Sequence, residues 1–221
     1  MKDLRSERKR RREEANRLFI LTAAEEIFAQ RGYTLATMDN IAKKAQFSKA
    51  TLYHYFGGKR DILFEIILNS FAEAAQGLRK IEEKNISAKK KLDEITRFVL
   101  LRFQKKKRLS RVFLMEKSLI NTIFHSSPDG HKAFTKEEKK FLDELQLKKS
   151  GMVELMRRVF DEGVAAGEFR KMDTRDAAHA FEALLHGFYF TKFWYEKEYS
   201  LESATRVIME FFFYGIRKIE G

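Results

Sequence analysis

The chain has no cysteine. Disulfides, thiolate metal sites and thiol nucleophiles are therefore excluded, and the composition fits a reducing cytosol. Among 221 residues there is one proline, Pro128, and there are 11 glycines. Sheets and their turns consume both types, so their scarcity predicts a nearly all-helical chain. No apolar run reaches the roughly 18 residues of a membrane-spanning helix. The opening stretch "MKDLRSERKRRREEANR" lacks the apolar core of a secretory signal. The expectation is a cytoplasmic protein with no membrane partner. Enzymatic signals are missing too: there is no glycine-rich phosphate loop, no paired acid–base constellation and no metal-ligand spacing. No enzyme activity, cofactor or metal is expected. His179 and His186 share a helix face at i, i+7, but no further ligands stand near them in sequence, so packing or an interface accounts for them better than a metal.

Hydrophobic residues make up 44% of the chain, enough for a real core. The net charge is +12 and is unevenly placed. Residues 1–60 hold 14 Lys/Arg against 7 Asp/Glu, whereas the much longer remainder holds 30 against 25. A basic excess concentrated in one region points to a polyanionic partner.

Helical periodicity divides the chain. In "NRLFILTAAEEIFAQRG", Ile20, Ala24, Ile27 and Phe28 fall on one face, and Gly32 suits a helix stop. In "YTLATMDNIAKKAQF", Met38, Ile41, Ala42 and Ala45 form a stripe behind Thr37, which reads as an N-cap, with Asp39 in the first turn. Ser48 then caps a third short helix that starts at Lys49 and keeps Leu52 and Phe56 for the core. A longer helix followed by two short ones across a tight turn is a helix-turn-helix arrangement. From Lys59 the helices lengthen. Ser87, Thr135 with Glu138, Asp173 and Ser200 read as caps, and Gly167 reads as a C-cap. The predicted architecture is all-α. Residues 1–60 form a basic arm and a three-helix helix-turn-helix domain, and residues 61–221 form a six-helix ligand-binding and dimerisation bundle. The stretch "RSERKRRREE" either forms a disordered arm tracking phosphates or the minor groove, or extends the first helix with Glu13–Arg17 as an i, i+4 pair.

The third helix leaves Lys49, Ala50, Thr51, Tyr53, His54 and Tyr55 outside its apolar face. Lys can donate to guanine O6 or N7, and Ala or the Thr methyl can pack on a thymine methyl. Hydroxyls can hold phosphate oxygens, and the helix starts near Thr37 and Lys59 favour anions. These motifs, "ILTAAEEIFAQRGY" and "TMDNIAKKAQFSKATLYHYFGGKRDIL", resemble the N-terminal region of TetR-type transcriptional regulators. The resemblance covers about residues 15–63. It departs at Gln46, where glycine is usual, at Phe47, where a smaller aliphatic is usual, and at Gly57-Gly58. It implies Lys49, Ala50, Tyr53 and His54 near bases, and Thr37, Ser48, Thr51, Tyr55 and Lys59 near phosphate. The implied partner is a near-palindromic double-stranded DNA operator.

The resemblance also implies a homodimer built by the last two helices. Their apolar stripes are compatible: Ala177, Ala180, Phe181, Leu184, Leu185 and Phe188 on one, and Val207, Ile208, Phe211, Phe212 and Ile216 on the other. A purely intramolecular core would use the same residues. The 21 phenylalanines raise a further expectation, an apolar cavity for a small apolar effector. Phe98, Phe103, Phe113, Met115, Phe124, Met152, Met156, Phe160, Tyr189, Phe193 and Trp194 are its candidate lining, against the plainer reading that each packs the core. A fatty-acyl thioester or a flat aromatic compound would suit such walls. The expected function is a ligand-responsive DNA-binding regulator, a repressor released by its effector. The alternatives are a nucleic-acid binder driven by charge alone and a helical enzyme acting on an apolar compound.

Overall fold

The computed structural model describes residues 4–105, 135–190 and 199–216, without the side chains of residues 189, 190, 215 and 216. The described residues form eight helices and no strand. They are α1 (Leu4–Leu35), α2 (Met38–Ala45), α3 (Lys49–Tyr55), α4 (Lys59–Glu82), α5 (Ala88–Lys105), α6 (Lys136–Ala165), α7 (Thr174–Phe190) and α8 (Leu201–Ile216). None is long and apolar enough to cross a membrane. The all-α expectation holds. Two compact units divide the chain, and of the described residues 4–70 and 135–142 belong to the first.

In the first unit the α1 stripe is buried as periodicity requires: Ile20, Ala24 and Phe28 are fully enclosed, and Ile27 nearly so. Ile41 of α2, Leu52 of α3, and Ile62, Leu63 and Ile67 of α4 complete this core. Phe64 stacks on Phe141 with ring centroids 3.9 Å apart. Gly32 takes φ 75° and ψ 165°, a conformation that breaks the helix where the sequence places its stop. The basic N-terminal stretch is helical from Leu4 onward, which decides between the two arrangements left open above. Its ion pairs differ from expectation. Glu13 pairs with Lys9 and Glu14 with Arg10, both at i, i+4. Arg17 instead turns inward to Glu65, because a half-buried carboxylate on α4 offers two oxygens to its planar fork.

The second unit is built around aromatic rings. Phe160 is fully buried, 5.9 Å from Phe181, 6.0 Å from Phe169 and 5.6 Å from Phe212. Gly77 and Gly163 let rings approach the backbone: a Cβ there would meet Phe98 at 2.0 Å and Phe169 at 2.2 Å. Capping follows the sequence throughout. Thr135 and Glu138 form the reciprocal box, with bonds of 2.9 and 3.2 Å. Asp173 accepts from the N–H groups of Arg175 and Asp176, which hold its carboxyl below the usual range. Ser200 accepts from Ser203, and Gly167 ends its helix at φ 71°. Ser87 caps α5, joined by Glu168, whose two oxygens accept from the N–H groups of Ala88 and Lys89.

This core corrects two expectations. Ala177, Phe181, Leu185 and Ile208 are buried within the monomer, and Phe212 packs on the same cluster at 4.9 Å from Phe181. The four buried side chains offer almost no surface to a second copy, whereas Phe212 is half-buried. Phe160 and Met156 likewise belong to the packed core, and Phe160 leaves no surface for even a water-sized neighbour. The candidates Phe113, Met115, Phe124, Phe193 and Trp194, and the side chain of Tyr189, lie outside the described residues.

Candidate nucleic-acid interface

Local chemistry builds the turn between α2 and α3. Thr37 Oγ1 accepts from Asn40 N–H at 3.2 Å and starts α2. Gln46 ends it in the left-handed region, at φ 58° and ψ 35°. Its N–H donates to Lys43 O, and the N–H of Phe47 donates to Ala42 O at 3.0 Å. This paired closure is the Schellman arrangement, usually made by glycine. Ser48 Oγ then accepts from Thr51 N–H at 3.0 Å and lies 2.8 Å from Thr51 Oγ1. Leu52 and Phe56 are buried, and Lys49, Ala50, Tyr53 and His54 are left to solvent.

The expected contact residues fall into two sets. Thr37, Ser48, Lys49, Ala50, Tyr53 and His54 are exposed, with Tyr53 at 50%. Thr51, Tyr55 and Lys59 are half-buried. The Tyr55 hydroxyl accepts from Asn16 Nδ2 at 3.1 Å, and the His54 ring meets that of Tyr55 edge-on at 5.4 Å. Arg17 donates to Tyr55 O at 3.1 Å and lies over the Phe56 ring. The end of α3 is thus tied to α1.

The two lysines behave differently. Lys49 Nζ lies 3.0 Å from Asp39 Oδ1, and this neighbour raises its pKa. Lys59 Nζ donates to the carbonyls of Tyr33, Thr34 and Ala36 at 2.9, 3.0 and 3.0 Å, and sits 4.7 Å from the Tyr33 ring. An ammonium has three protons, and all three are used. The structure therefore gives the Lys59 side chain a capping role at the end of α1 in place of the expected phosphate contact. Sequence reasoning missed Asn16, Arg17 and Asp39 as partners of the motif. Their signal was weak, since each acts across 10 or more positions in the chain.

The second unit has a cleft of about 470 Å³ lined by Lys89, Glu168, Phe169, Glu210, Phe213 and Tyr214. None of the expected lining residues borders it. Of those described, Phe98, Phe103 and Met152 are half-buried, and Phe103 meets the His186 ring edge-on at 6.2 Å. Among the described residues no cluster of three or more His, Asp or Glu could hold a metal ion.

Residues 20–66 match the family model described as "Bacterial regulatory proteins, tetR family". The chain is 31% identical over 104 residues to the uncharacterized HTH-type transcriptional regulator YhgD of Bacillus subtilis, a match covering 47% of this chain. That match spans 54% of the relative, so about half the length of this curated protein is represented. Two solved structures share the fold. One is the fatty acid degradation regulator FadR of Bacillus halodurans, with TM-score 0.69, 19% identity, and coverage of 89% of this chain and 94% of that one. The other is FadR of Bacillus subtilis in complex with stearoyl-CoA, with TM-score 0.63, 21% identity, and coverage of 90% and 99%. The capped helix-turn-helix and the matched region agree: residues 20–66 form an N-terminal domain of the tetR family of bacterial regulatory proteins, and the all-helical remainder shares the fold of those two solved structures.

Proposed function

We propose that the protein is a ligand-responsive repressor that binds a near-palindromic operator as a homodimer and leaves it when an apolar effector binds. In this reading residues 1–60 hold the DNA, and residues 61–221 hold the effector and the partner copy. The observation that carries it is the exposed donor surface of a short recognition helix whose two ends and apolar side are tied down. A helix held in this way can keep side chains in register with base edges, while Thr37, Ser48 and Thr51 supply hydroxyls to phosphate. Lys49, Ala50, Tyr53 and His54 are the base-facing residues in this reading, and Tyr55 flanks them.

The dimer surface consists of what the monomer core leaves open on α7 and α8. Ala180, Ala183 and Gly187 are small and exposed, and Phe211 and Tyr214 are 74% and 81% exposed. Small residues facing large rings allow two helix pairs to approach closely. Leu184 and Phe188 are half-buried beside them.

The effector is a long-chain acyl thioester or a flat aromatic compound, held by the second unit. Support comes from the aromatic core, from half-buried Phe98, Phe103 and Met152, and from the acyl-CoA bound by the Bacillus subtilis FadR of the same fold. Thermal melts with stearoyl-CoA, shorter acyl-CoAs, free fatty acids and aromatic drugs test this reading. A binder should raise the melting temperature and lower affinity for a duplex selected from a random library. If only polar metabolites shift the melt and release DNA, the apolar effector is wrong. If no duplex is selected, the DNA-binding role is wrong.

A further inference from the structure

Asp39 is unexplained by its helix alone. It stands in the first turn of α2, where a carboxylate suits the dipole, but it also points at the first residue of α3. Lys49 Nζ lies 3.0 Å from its Oδ1 and 3.1 Å from its Oδ2. Both side chains are more than half exposed, at 54% for Lys49 and 65% for Asp39. A carboxylate on a surface meant for a polyanion is repelled by phosphate unless a donor meets it. An exposed pair of this kind is weak and screened by salt, so opening or sharing it is easy.

The major-groove edge of a G·C pair supplies what such a pair lacks. Guanine offers two neighbouring acceptors, N7 and O6, and the paired cytosine offers the N4 amino donor beside them. O6 and N4 are themselves hydrogen-bonded, so acceptor and donor lie about 2.9 Å apart. Lys49 and Asp39 present the complementary order, donor beside acceptor, at a matching separation. An A·T pair fits less well. Adenine N6 is a donor between two separate acceptors, its own N7 and thymine O4, so the ammonium meets one acceptor at a time where guanine offers two side by side.

We infer that Asp39 and Lys49 read one G·C base pair per half-site as a unit, Lys49 donating to guanine O6 and N7 and Asp39 accepting the groove-facing amino proton of the paired cytosine. The inference rests on the DNA-binding role proposed above and adds a specificity-determining residue to it. The carboxylate makes contact with phosphate alone unfavourable, so Lys49 engages fully only where a cytosine amino group takes up its partner.

The test uses the full chain. Duplexes selected by the wild type are remade with all four base pairs at each position and titrated with wild type, Asp39→Ala and Asp39→Asn. The wild type should prefer G·C at one position per half-site by roughly 5- to 150-fold. Asp39→Ala should lose most of that preference at that position alone, and Asp39→Asn, whose amide oxygen still accepts, should lose only part of it, while the affinity of both for random duplex rises. N4-methylcytosine at the same position removes the groove-facing proton. It should weaken the wild type and leave Asp39→Ala indifferent. Asp39 is exposed, and unchanged melting curves would show both variants folded. A variant that binds every sequence more tightly with its base preferences intact would make the carboxylate a simple brake and overturn the inference. An unchanged variant would overturn it as well. A wild type that selects no duplex would remove the underlying DNA-binding role, a distinct outcome.

Discussion

Lys49 and Lys59 lie ten positions apart and use the same ammonium for different ends. Lys49 shares its charge with one exposed carboxylate. Lys59 gives three protons to three carbonyls at the end of α1. Lys59→Met keeps the stem and removes those bonds, so it should lower stability by about 2 kcal/mol in thermal or urea melts. A variant that melts like wild type but binds DNA weakly would return Lys59 to the phosphate. Gln46 makes the opposite case. It holds φ 58° without being glycine, and left-handed backbone costs a side-chain-bearing residue about 1 kcal/mol or more. Gln46→Gly should therefore stabilise by up to about 1 kcal/mol, and Gln46→Val should destabilise. His186 adds a pH dependence. Burial lowers its pKa, opposed by Glu182 and assisted by Lys149. The folded state then binds fewer protons than the unfolded state below the ordinary histidine range. Stability from this group is complete above about pH 6.5 and is lost as pH falls through the lower folded value. His186→Phe should flatten the pH dependence of the melting temperature between pH 7 and 5.

α1 has two parts with different chemistry. From Ile20 it is a buried element, whereas residues 4–19 have no fully buried side chain. Those sixteen residues extend roughly 24 Å as helix. They carry a dense basic run and two i, i+4 ion pairs, and Asn16 and Arg17 tie their base to α3 and α4. Removing residues 1–12 should leave the melting temperature nearly unchanged, since no core is lost. The salt dependence of DNA binding should fall, by about 0.9 in the log–log slope for each phosphate contact removed. A truncated chain with an unchanged slope would show that the extension does not touch DNA.

At the scale of the molecule, the aromatic content serves packing first. Phe160, Phe169, Phe181 and Phe212 close on one another inside the second unit, while Phe211 and Tyr214 on α8 face out. Phe212→Asp should unfold the unit, because it places a charge against Phe160 and Phe181. Phe211→Asp and Tyr214→Asp should leave each chain folded and shift sedimentation from dimer to monomer. If both exposed variants stay dimeric, the contact between copies lies elsewhere.

The sequence by itself determined the helices, their caps and the motif. Each of these depends on neighbours within four positions, and the chain spells out such neighbours directly. Thr37, Ser48, Thr135, Asp173 and Ser200 cap the helices that their spacing predicts, and Leu52 and Phe56 anchor α3. Tertiary structure alone decided which side of an apolar stripe is inside. A stripe records that a face is apolar and not what covers it, so Phe181 and Phe212 read equally well as interface or as core. Tertiary structure also decided what each charge pairs with. Arg17 passes over Glu13 for Glu65, and Lys59 reaches back more than twenty positions to the end of α1. Long side chains find their partners through space, and only the folded chain brings those partners within hydrogen-bonding distance.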